Sequence, residues 1–311
     1  MTTLLYSHES SLLHEVPAGH PERPDRLRAV EKVLSDERFK KLVRKTPAQV
    51  TREQVLRVHP ADYYDAIERA IPEEGDLARI DGDTALSHGS WEPIVRAAGG
   101  ACQAVDEVMQ GKANNAFVAM RPPGHHAETV TAMGFCFFNN AAIAARHARA
   151  KHGAERVAII DFDVHHGNGS QEIFWNDPSV MYCSTHQMPL YPGTGAKTET
   201  GARNTVVNAP LSSGDNGTQF REAVESRILP RLNDFRPDLV IISAGFDAHT
   251  RDPLANINLV ESDFAWVTQK LMDVADKHAG GRVVSVLEGG YDLQGLALST
   301  AAHVTELMKA G

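Results

Sequence analysis

The chain has 311 residues, 42% hydrophobic and 23% charged, enough to bury the core of one large α/β domain. It contains no run of about 18 uncharged apolar residues, which excludes a membrane-spanning helix, and the start MTTLLYSHESSLLHEV lacks the basic-then-apolar order of a secretory signal, so the expected compartment is the cytoplasm. A net charge of −9 argues against nucleic acid as a partner, because phosphate backbones are gripped by clustered Lys and Arg, and it favours a cationic partner.

Short β-rich apolar runs alternate with Ala-rich segments of helical period, the pattern of a parallel sheet covered on both faces. In chain order, helices are predicted over 24–34 and 91–109, then a strand over 116–120 and a helix over 139–151. Strands follow at 157–160 and 180–184. The Gly, Pro, Thr and Asn content of 188–215 predicts loop with one strand at 205–208. A helix over 219–235, a strand over 239–243, a helix over 262–277, a strand over 283–287 and a helix over 296–308 complete the chain. No internal repeat or Pro/Ser/Gly linker divides it, so 1–311 is read as one domain. Cys102, Cys136 and Cys183 have neither CxxC spacing nor disulfide density and are expected to be reduced, buried apolar residues.

Four of these strands run directly into groups with metal-binding or acid-base capacity: "RPPGHH", "DFDVHHGNG", "AGFDAH" and "EGGYD". In an open parallel sheet such positions share the edge outside the carboxyl ends of the strands, where these folds bind ligands. Asp161, Asp163 and His165 alternate, so an extended backbone turns them to one side. Two carboxylates and an imidazole that close together need a positive partner, and a divalent metal is the strongest candidate. Oxygen and nitrogen ligands suit a catalytic Zn²⁺ with three protein ligands, and Asp247, from a different strand end, supplies the third beside Asp163 and His165.

His125 and His126 are candidates for general acid and base, since imidazole titrates near neutrality. Asp161 and Asn168 are available to fix their tautomers. A carboxylate stabilises imidazolium better than an amide does, so the two histidines should not be equivalent; which one removes a proton from water stays open. Tyr291, delivered by Gly289 and Gly290, would in an amide hydrolase donate to the oxygen of a tetrahedral intermediate. Phe135 in "GFCFFNN" and Tyr191 in "LYPGTG" can wall a narrow apolar slot.

In this order, from "HPERPDR" through "RPPGHHA", "GFCFFNN", "DFDVHHGNG", "YPGTG" and "SAGFDAH" to "LEGGYD", the motifs resemble those of the histone deacetylase superfamily, of arginase-deacetylase fold. The resemblance implies a single α/β domain whose mostly parallel central sheet has about eight strands with helices on both faces. It implies zinc at Asp163, His165 and Asp247, proton transfer by His125 and His126, and Tyr291 as the transition-state tyrosine. Phe135 with Gly134, Tyr191 and Gly289 correspond to the acyl-lysine tunnel. Asp161 with Ser184 corresponds to a monovalent-cation site, usually potassium, held largely by main-chain carbonyls.

Three positions refine the resemblance. Asn168 stands where class I members carry Asp, as in class II and class II-like bacterial amidohydrolases. Leu254 stands where polyamine-selective class II members have a Glu that reads a distant ammonium. Tyr191 replaces the more usual Phe and adds a hydroxyl at the tunnel. The implied activity is zinc-dependent removal of an acetyl or other short acyl group from an acylated primary amine, most of all an N-ε-acetyl-lysine side chain. Hydrolysis of acetylated polyamines or another acetylated small amine is the alternative. Gly167 and Gly245, where an arginase pattern has aspartates, argue against two manganese ions. The intact set of ligands, histidines and tyrosine argues against a non-catalytic acyl-lysine reader. Homo-oligomerisation is left open.

Overall fold

Residues 2–309 are described by a computed structural model. Among the described residues ten strands are formed: β1 (Thr3–Tyr6), β2 (Val43–Lys45), β3 (Leu77–Arg79), β4 (Ala85–Ser87), β5 (Asn115–Val118), β6 (Val157–Asp161), β7 (Val180–Gln187), β8 (Val206–Leu211), β9 (Leu239–Ala244) and β10 (Val283–Leu287). Eight of them make one sheet in the order β2-β1-β5-β10-β9-β6-β7-β8, every neighbouring pair parallel. The other two, β3 and β4, pair antiparallel in a separate hairpin.

The continuous apolar runs of β6, β9 and β10 form strands because both their faces are covered. Alternate residues divide between two cores. Val157, Ile159, Leu239, Ile241, Val284 and Val286 face one side, against the Ala-rich helices Trp91–Met109 and Asn140–His152. Ala158, Ile160, Val240 and Ile242 face the other, under Asp25–Leu34, Glu261–His278 and Leu293–Lys309. All three cysteines are buried and free.

Strands β1 and β2 extend the sheet beyond what the pattern predicts. The sequence of β2, VRK, is short, charged and half open at the sheet's edge, so backbone pairing with β1 makes it a strand rather than its own composition. The helix predicted over 219–235 is broken into Gly217–Ala223, a π turn at Val224–Ile228, and Leu229–Phe235. Pro230 lacks the N–H that a regular ladder needs there, and the wider turn absorbs the mismatch.

The sheet order places β5, β10, β9 and β6 side by side. These are the four strands whose carboxyl ends carry the polar motifs, so the motifs meet along one short stretch of edge.

Candidate active site

The segment after β6 leaves the sheet with Asp163 and His165, and Asp247 arrives from the end of β9. His165 Nδ1 lies 3.2 Å from Asp163 Oδ1 and 3.0 Å from Asp247 Oδ2, and all three residues are buried. The carboxylates are oriented by backbone donors: the Gly289 N–H donates to Asp163 Oδ2 at 2.7 Å, and the Val164 N–H to Asp247 Oδ1 at 2.8 Å. Among the described residues, the groups that pair with these carboxylates within 4 Å are imidazoles; no Lys or Arg does so. Burial opposes charge on His165, yet Asp163 and Asp247 push its pKa up to about 10, so the cluster demands positive charge.

This donor set fits a divalent ion. Three atoms bound at ~2.0–2.1 Å in tetrahedral directions are separated by about 3.3 Å, close to the spacings found here. A Cβ at Gly167 would meet Asp161 and the Tyr182 hydroxyl, and one at Gly245 would meet Asp163, so a carboxylate at either position would require those side chains to move.

The tandem histidines follow β5 and have different partners. His125 Nδ1 is 2.9 Å from Asp161 Oδ2, whereas His126 Nδ1 is 2.8 Å from Asn168 Oδ1. Burial works against charge on His125, but Asp161 and Asp163 outweigh it and hold the ring well above its ordinary value. For His126, burial and then the neighbouring His125 and His165 push the ring well below its ordinary value. Asn168 Nδ2 donates to Glu128 Oε1 at 2.9 Å, which turns Oδ1 toward His126; the imidazole therefore carries its proton on Nδ1 and leaves Nε2 as an acceptor.

One cavity of about 520 Å³ opens over this cluster and is lined by His126, Gly134, Phe135, His165, Tyr191, Leu254 and Tyr291, among others. It draws together most of the residues predicted to meet substrate. Gly289 contributes differently, through its amide to Asp163. Tyr191 packs edge-on to His126 at 5.2 Å, and Phe135 edge-on to Tyr291 at 5.9 Å. Asp161 and Ser184 are register partners across β6 and β7, but the Ser184 hydroxyl engages His186 Nδ1 at 2.8 Å, and Asp161 Oδ2 is shared by His125 and the Tyr182 hydroxyl.

Several buried charges behind the site lie outside the sequence reading. Glu22 binds both Arg26 and Arg121, and Arg26 also donates to the Gly290 carbonyl at 2.6 Å and sits 4.9 Å from the Tyr291 ring centre. Glu288 accepts from the Gly124 amide at 2.7 Å and from the Ser243 hydroxyl at 3.0 Å, tying three strand ends together. Arg121, Glu22, Arg26 and Glu288 all lie inside the quoted motifs. Charged residues in apolar-flanked motifs are the signal that marks them, since such groups are buried only when paired.

Residues 20–307 match the family described as Histone deacetylase domain. A probable deacetylase of Archaeoglobus fulgidus is 40% identical over 95% of this chain and 83% of its own length. A histone deacetylase-like amidohydrolase of Pseudomonas aeruginosa is 39% identical over 93% of this chain and 77% of its own. The crystal structure of the HDA15 HD domain superposes with a TM-score of 0.93 at 37% identity, covering 99% of this chain and 89% of that one. With the sheet order, the convergent motifs and these relatives in agreement, the chain belongs to the histone deacetylase family.

Proposed function

We propose that the protein is a zinc-dependent deacetylase acting on an acylated primary amine, above all the N-ε-acetyl-lysine side chain. The observation that carries this reading is the buried Asp163, His165, Asp247 group, unpaired by Lys or Arg, beneath an apolar slot and beside two inequivalent histidines. Asp163, His165 and Asp247 would hold a zinc ion, which would supply Lewis acidity for the acyl carbonyl and lower the pKa of water to about 7.

The chain's own groups do the rest. Neutral His126, open to the cavity with Nε2 free to accept, takes the proton from the attacking water and passes it to the departing amine. His125, held charged by Asp161, supplies positive charge beside the developing oxyanion and biases His126 toward its neutral form. Tyr291 donates its phenolic hydrogen to that oxyanion, and the raised pKa imposed by burial keeps the hydrogen in place. Phe135 and Tyr191 exclude water from the methylene chain of the substrate. Asp161 and Ser184 belong to a potassium site in this reading.

Acetylpolyamine hydrolysis is the competing reading, favoured by Asp81 and Asp83, which line the same cavity and would attract a second ammonium. Leu254 at the lip offers no such charge. The test is acetate release by zinc-loaded protein from acetyl-lysine peptides, acetylputrescine and acetylspermidine, with and without a chelator. Chelator-sensitive turnover of the peptides supports the proposal; preference for the polyamines replaces it with the alternative, and acetate release from none of them overturns both.

A further inference from the structure

Asp252 lies in the "RDPLAN" turn that follows β9 and Asp247 and takes no part in the chemistry described above. It is 8% exposed, and among the described residues no Lys, Arg or His lies within ion-pair distance of it. Its carboxylate is spent on backbone amides instead. Oδ2 accepts from the N–H of Tyr291 at 2.7 Å and of Asp292 at 3.3 Å, and the N–H of Leu254 donates to Oδ1 at 3.0 Å. One side chain thus joins the loop that bears the phenol to Leu254 in the cavity's lining.

Gly290, with φ +122, turns the chain immediately before Tyr291, and its carbonyl accepts from Arg26 at 2.6 Å. Arg26 and Phe135 contact the ring of Tyr291, but its amide is held by Asp252. Hydrogen bonds to an ionised acceptor are roughly twice as strong as neutral ones, so the charge as well as the shape of Asp252 matters.

We propose that Asp252 is a positioning residue: it sets the Tyr291 hydroxyl against the acyl oxygen and, through the Leu254 amide, ties that placement to the wall of the cavity. The inference rests on the deacetylase reading above. Asp252→Asn keeps the shape but has one acceptor oxygen for two groups of donors, and its amide must face an N–H on one side. A displacement of about 1 Å at a reacting group costs on the order of 10²-fold in rate.

The test is a double-mutant cycle on the zinc-loaded full chain with an acetyl-lysine peptide, comparing wild type, Asp252→Asn, Tyr291→Phe and the double variant. Expected is a ~10- to 100-fold loss of kcat for Asp252→Asn with KM within about twofold and one zinc per chain retained. In the Tyr291→Phe background the same change should cost less than about twofold, because the group it positions is gone. Asp252→Glu, which keeps the charge but displaces it, should lose kcat similarly at an unchanged melting temperature. Wild-type kcat in Asp252→Asn, or a loss that multiplies fully onto that of Tyr291→Phe, overturns the inference. So does loss of zinc or of folding in both Asp252 variants, which would make the residue merely structural. A wild-type protein inert toward acetyl-lysine peptides, acetylputrescine and acetylspermidine overturns the deacetylase reading itself, and this inference with it.

Discussion

Two clusters in this molecule are built from the same residue types but have different surroundings. Asp163, His165 and Asp247 gather at the carboxyl ends of β6 and β9; Asp106, His147 and His152 gather where the helices Trp91–Met109 and Asn140–His152 lead into the amino ends of β5 and β6. Both bring carboxylate and imidazole atoms close enough for a common ion. The second, however, is already filled. Asp106 Oδ1 takes His147 Nε2 at 2.8 Å and His152 Nε2 at 2.6 Å, and Oδ2 takes Lys151 at 2.9 Å. His147 Nδ1 faces Arg57 at 2.9 Å, and because a guanidinium only donates, that nitrogen must accept, leaving the proton on Nε2 toward Asp106. A cation there would displace that proton and meet Lys151 and Arg57. Among the described residues no Lys or Arg pairs with the first cluster, whose carboxylates meet imidazoles and backbone amides. In the proposed reading, local charge balance rather than ligand type is what separates the two clusters.

The most drastic way to break the comparison is to remove a ligand from each. Asp247→Asn should reduce bound zinc from one per chain to none after dialysis and turnover to background, whereas Asp106→Asn should leave both unchanged. Elemental analysis alongside acetate release checks the pair; metal loss from the Asp106 variant would mean that the two clusters had been misassigned. Next in size, Tyr291→Phe should lower kcat by on the order of 10² to 10³ while keeping zinc and melting temperature, as expected for one oxyanion donor.

Acid provides a third contrast, with histidines that burial alone keeps neutral. Burial lowers the pKa of His59 to about 4 and of His303 to about 3. The unfolded chain, with values near 6.5, then binds more protons, so their contribution to stability is complete above pH 6.5 and falls as pH drops through the folded values. Each should cost on the order of 3 kcal/mol by pH 4, read as a falling melting temperature over that window. A flat profile from pH 6.5 to 4 would contradict it. The smallest effect belongs to the filled cluster: Asp106→Asn should destabilise by ~1–2 kcal/mol, since the Lys151 contact is half exposed and screened. Thermal melting at fixed pH measures that loss.

Much of this site was legible in the chain because it is written in short motifs that each follow an apolar run. "DFDVHHGNG" after Val157–Ile160 pointed to Asp163 and His165 directly, and the pairing options for His125 and His126 could be named from the same stretch. What no motif marks is held by contacts distant in sequence. Asp252 reaches Tyr291 across 39 positions, and Arg26 reaches Gly290 across 264. Neither distance has a local signature, since the donors at the far end are backbone groups common to all residues. The strand β2 is unmarked for a related reason: its partner, not its composition, makes it extended.

The amino-acid sequence by itself determined that a parallel α/β sheet would form and which residue types would stand at the ends of its strands, because periodicity, burial and ligand chemistry are properties of neighbouring residues. Only the tertiary structure decided that β5, β10, β9 and β6 lie side by side, and that Lys and Arg side chains flank the Asp106 cluster but, among the described residues, not Asp163. Strand order and charge neighbourhoods depend on how separate segments pack, and electrostatic interaction is set by distance in space.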